Sequence, residues 1–187
     1  MTQILTQSQY IDFCIEFLSE LQKYSSSYKD FTLEQQFLYG SDQVNLYILL
    51  TRLMNSGTEK IVIEVALVLF FRILSVYGID SLTQFNCHRL IFTSLILANI
   101  GYKDDIISLS RWHQMINYTW EKSEIEYMKL EMLAAINFKL HVSIEEIQLL
   151  QNNVLIPFQN NKLSYQRIEQ YLFFQLQINN KRNKYNE

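Results

Sequence analysis

IVIEVALVLFFRILSVY, residues 61–77, places charge at only two positions, Glu64 and Arg72. LIFTSLILANIG, residues 90–101, places none. A helix that is apolar on every side belongs among packed neighbours or in a membrane. The first run is broken by its charges, and the second is shorter than the ~20 residues a bilayer span needs. Both are expected as core helices of a soluble, all-α domain.

Downstream, a helix opening at Ser123 carries Ile125, Met128, Met132, Leu133 and Ile136 and strands a carboxylate, Glu131, on its apolar side. At helical spacing Glu131 meets Tyr127, Met128, Ala134 and Ala135, none of them cationic. An exposed helical glutamate commonly has a lysine or arginine three or four residues away. A charge on a buried face is costly without a partner, so Glu131 requires a cation from another helix or another molecule.

The rest of the chain is punctuated as a helical protein. Its four glycines, Gly40, Gly57, Gly78 and Gly101, each follow a helical pattern, as left-handed caps do, and the single proline, Pro157, follows the pattern that begins after Ser143. A β domain would need many more turn residues. The periodicity predicts about eight helices. The first covers Ser8 to Tyr24, with Ile11, Ile15, Leu18 and Leu21 on one face, and Ser25-Ser26-Ser27 ends it. A short helix over Leu33 to Tyr39 follows, then Asp42 to Asn55 presenting Leu46, Leu49, Leu50 and Leu53. Next come Glu59 to Tyr77, Gln84 to Ile100, and a short helix near Ser108 to Asn117. Ser123 with Glu126, and Ser143 with Glu146, each read as a capping box opening a helix. A last amphipathic segment spans Tyr165 to Ile178, and the polar tail Asn179 to Glu187 is expected to fray.

At 187 residues the chain has the length of one domain, able to bury roughly 70% of its unfolded surface. A hydrophobic share of 49% with 19% charged residues is globular, and a net charge of −3 provides no field for nucleic acid or an anionic membrane. Cys14 and Cys87 form neither a disulfide framework nor a metal motif and suit a reducing compartment. With no basic region and no sustained apolar core before Asp12, no secretory leader is expected.

Catalytic constellations are missing. His88, His113 and His141 fall in separate elements without metal or acid–base spacing, and each reads as a structural residue. There is no glycine-rich phosphate loop and no nucleophile elbow. The Lys181-Arg182-Asn183-Lys184 run reads as a solvated tail. The expectation is a protein that is not an enzyme, with no catalytic residue, no cofactor, no metal and no small-molecule ligand.

One set of motifs goes further. Leu50-Thr51-Arg52-Leu53 resembles a Leu-x-Arg-Ile element, and Phe70-Phe71-Arg72-Ile73-Leu74 resembles Tyr-Ile-Asp-Arg-Leu. Asn86-Cys87-His88-Arg89-Leu90 with Thr93-Ser94 is similar to an Asn-x-His-Arg-Leu segment. Leu130-Glu131-Met132-Leu133, then Asn137-Phe138-Lys139-Leu140-His141-Val142-Ser143, is similar to a Leu-Glu-x-x-Leu and Phe-x-Leu-x-Val-Ser ending. In order and spacing the set resembles a cyclin box, closest to the P/U-type, phosphate-signalling-like cyclins of fungi and protists.

That resemblance implies a single five-helix cyclin-box bundle over residues 41–143, with flanking helices at 1–40 and C-terminal helices and a polar tail at 144–187. It implies a regulatory subunit, cytoplasmic or nuclear, that docks on the C-helix of a cyclin-dependent kinase. The alternative is a degenerate cyclin-fold adaptor in a larger protein assembly; neither involves nucleic acid or membrane. In the family, the glutamate matching Glu131 pairs with a lysine on the preceding long helix. That position here is Ile100, and the acidic position before Arg72 is Phe71. The cation for Glu131 is then Lys103, Arg89 or Arg72. The expected partner face comprises Glu131, Lys103, Arg52, Arg72 and Arg89, with Tyr102 and Asp104 from the polar loop after the long helix.

Overall fold

A computed structural model describes residues 6–23, 44–82, 86–103 and 105–184. Among them the chain is helical throughout, without strands. Helix α1 is Gln7–Lys23, α2 Leu46–Asn55, α3 Lys60–Tyr77, α4 Asn86–Tyr102, α5 Leu109–Met115 and α6 Lys122–Ala135. After them come α7 (Ile144–Leu150), a π-helical turn (Gln151–Leu155), α8 (Ile156–Gln159) and α9 (Tyr165–Lys184). A 3₁₀ turn, Ile79–Ser81, links α3 towards α4.

α3 is the hub. Every residue from Val62 to Leu74 is buried, Glu64 and Arg72 included, because α4, α6, α7 and α9 all pack around it. α1 packs on α2, α2 on α5, and α6 on α4 and α5. One core cluster runs from Tyr10 to Leu172 and draws on helices from α1 to α9. The two apolar runs thus occupy the interior, as their all-round hydrophobicity required. No helix among the described residues is long and apolar enough to cross a membrane.

The element expectations hold for α1 to α5 with small shifts of boundary. Asn45 caps α2, its side chain accepting from the Ile48 amide, and Ser108 caps α5. Leu46, Leu49, Leu50 and Leu53 are all buried. The expected Leu33 to Tyr39 helix, the Gly40 cap and Asp104 lie outside the described residues, as does Gln84.

Several expectations are corrected. Gly101 does not cap α4; it sits in the last helical turn, and the helix runs on to Tyr102. Asparagine takes over at three helix ends: Asn117, Asn137 and Asn161 adopt positive φ, since asparagine enters the left-handed region more readily than most residues. Ser123 and Glu126 form no capping box, because the chain turns helical one residue earlier, at Lys122, and Glu126 is held by Lys129 at 2.8 Å. Pro157 does not end its helical pattern. Proline lacks an amide hydrogen and collides with the carbonyl four residues back, and the chain answers by widening into the π turn just before it. The tail expected to fray after Ile178 continues as helix to Lys184.

Candidate functional site

On α6 the buried arc is Ile125, Met128 and Met132, while Tyr127, Leu130 and Ala134 lie exposed on the opposite arc. Tyr127 is 47% and Leu130 59% exposed, an unusual outward face for a helix whose inward face is already apolar. Glu131 stands at the border of these arcs, half-buried, and its Oε2 is shielded from water with no hydrogen-bond partner. The charge thus meets no cation inside the described molecule.

Beside it runs a groove of ≈ 460 Å³ between the end of α3 (Ile73, Tyr77), the first half of α4 (Asn86, Arg89, Leu90, Thr93) and α6 (Met128, Glu131, Met132). Arg89 is one of its charged lining residues. The guanidinium meets the Glu124 carboxylate at 2.5 Å and lies over the Trp120 ring, 5.2 Å from its centre. Sequence reasoning named Arg89 but missed Glu124 and Trp120, which fix it. The offset from Arg89 to Glu124 crosses two elements, so nothing local signals it.

Of the expected partner face, Arg52, Arg72, Tyr102 and Lys103 do not gather here. Arg52 reaches instead to the end of α5, donating to the carbonyls of Gln114 and Met115 and to Asn117 Oδ1 at 2.7–3.1 Å. It is a C-terminal cap, placed where the helix dipole favours a cation. Lys103 donates to the Gly57 carbonyl at 2.9 Å, tying α4 to the α2–α3 turn, and so does not answer Glu131. The Tyr102 hydroxyl bonds both the carbonyl and the amide of Val142, clasping the α6–α7 connection.

Arg72 is the clearest correction. It is fully buried, so it offers nothing to a partner. Its guanidinium bonds the carbonyls of Lys139 and His141 at 2.6 and 2.9 Å and pairs with Glu146 at 2.6 Å. Glu146 also completes the capping box with Ser143. The sequence showed that box as a local device; its second role as counter-ion of Arg72 was not visible. Phe71, where the cyclin-box resemblance implied an acidic residue, is core: its ring meets Phe17, Phe70 and Tyr171. Ile100 is 36% exposed.

Of the three histidines, His88 is anchored, with Nδ1 2.6 Å from the Val44 carbonyl. Burial lowers its pKa from 6.5, and the hydrogen bond opposes that in part. Among the described residues no group of three or more histidine, cysteine or acidic side chains is arranged to hold a metal ion. No protein-family model, curated protein or solved structure matches this chain.

Proposed function

We propose that this chain is a non-catalytic, cyclin-like regulatory subunit that binds a cyclin-dependent kinase and positions its C-helix. The ordered box motifs support this reading, and so does the succession of five helices, α2 to α6, around the α3/α4 pair. The observation that carries it is the outward face of α6, where exposed Tyr127 and Leu130 flank a carboxylate without a cation of its own. Such a face supplies apolar contact and one charge to a partner. An active kinase needs its strand lysine paired with a C-helix glutamate, and a partner that favours the inward helix shifts the kinase towards that state. Cys14 and Cys87, both buried and not joined in a disulfide, suit the cytoplasm or nucleus.

The test is purification of the full chain from its own cells, with the stoichiometric partners identified and their kinase activity assayed. A kinase is expected in equal amount, and Leu130→Asp is expected to release it. Absence of any kinase would sink the proposal.

A second reading is favoured by the internal engagement of Arg52, Arg72 and Lys103, and by Ile100 and Phe71 at the family's polar positions. In it the fold serves as an adaptor in a larger assembly and activates no kinase. Co-purification of a kinase whose activity rises when the chain is added rejects this version. Stable non-kinase partners favour it.

A further inference from the structure

The groove between α3, α4 and α6 has its polar demands met from within at almost every wall. The Ser81 hydroxyl donates to the Gly78 carbonyl, Asn86 Nδ2 to the Ser81 carbonyl and the Thr93 hydroxyl to the Arg89 carbonyl. Arg89 keeps one unmatched donor, Nε, but its charge is answered by Glu124. Counting formal charges, Arg89 (+1), Glu124 (−1) and Glu131 (−1) leave the site one negative charge in excess. The excess sits on Glu131, beside walls of Ile73, Leu90, Met128 and Met132.

From this we infer that the groove takes a lysine or arginine side chain presented by a partner protein's helix. The aliphatic stem lies along Met128 and Met132, and the cationic head meets the Glu131 carboxylate. Methionine walls adapt to a guest of either shape. A long basic side chain is the group that pairs an apolar shaft with a charged tip. The space exceeds what one stem fills, so a neighbouring apolar residue of the same helix also enters it, against Ile73 and Leu90. A protein partner is taken from the proposed function; the cation at Glu131 is the new claim.

The experiment uses the full chain with ¹³C-methyl-labelled methionine, titrated with n-pentylguanidinium, with pentanoate and 1-pentanol as controls. The Met128 and Met132 methyl signals are expected to move with the cation while those of Met54 and Met115 stay. Glu131→Gln is expected to weaken pentylguanidinium binding about tenfold or more, as loss of a charge-assisted hydrogen bond does, and to leave 1-pentanol unchanged. Unmoved Met128 and Met132 signals, equal affinity in Glu131→Gln, or pentanoate binding as well as the cation would each overturn the inference. The kinase reading is separable. If a kinase co-purifies equally with wild type and Glu131→Gln, that reading stands and this one falls; if the cation titrates as expected and no kinase is found, the reverse holds.

Discussion

Arg72 and Glu131 show what decides the fate of a charge on an apolar surface. Arg72 finds two carbonyls and a carboxylate, all 67 to 74 residues along the chain. Glu131 Oε2 finds no hydrogen-bond partner among the described residues. The sequence marked both as anomalous, because a charge among apolar neighbours is visible without a structure. It did not distinguish them, because the answering groups come from a distant segment. Removing one member of a buried pair leaves the other charge uncompensated, so Arg72→Ala is expected to cost about 3–5 kcal/mol in urea unfolding. The double change Arg72→Met with Glu146→Leu is expected to recover only part of that loss, because the bonds to the Lys139 and His141 carbonyls and to the Ser143 amide are still missing. His88 supplies a pH dependence. Its folded-state pKa lies below the unfolded value, so the unfolded chain binds more protons in the window between them. Stability should be intact above pH 6.5 and decline as pH falls from there through the lowered folded value. His88→Gln should flatten that part of the curve, and an unchanged profile would refute the assignment.

The helices themselves were legible where apolar spacing is long and regular, as in α2, α3 and α4. Their ends were legible only in part, because a terminus depends on which polar group arrives first. Ser143 with Glu146 makes its box; Ser123 with Glu126 does not, since Lys129 has claimed the carboxylate. Loss of the working cap in Ser143→Ala is expected to lower stability by about 1 kcal/mol, whereas Ser123→Ala should change little. Phe138 follows Asn137 into the left-handed region at φ 57° and is 68% exposed, so its ring contributes little burial there. Phe138→Gly is expected to raise the denaturation midpoint, by a gain of up to about 1 kcal/mol, as the backbone strain is relieved. A lowered midpoint would show that the ring packs more than its exposure indicates.

The molecule as a whole is held by aromatic contacts that ignore the proposed box limits. Phe71 on α3 meets Phe17 of α1 on one side and Tyr171 of α9 on the other, at 6.1 and 5.1 Å between ring centres. Phe71→Ala is expected to cost about 3–5 kcal/mol, and a chain cut after Ser143 is expected to lose cooperative unfolding. Near-ultraviolet circular dichroism and a melting curve would check both. Apolar periodicity revealed that α1 and α9 have inward faces, but not that they flank one ring on the central helix. The π turn carries this dependence further. Each extra residue in a helical turn advances the following side chains by roughly 100° around the axis. That added rotation aims Phe158 at Phe13 and Phe17, 5.3 Å from each. Deleting a single residue between Gln151 and Leu155 would restore ordinary winding, swing the ring aside and unseat the N-terminal helix from a point more than a hundred positions away.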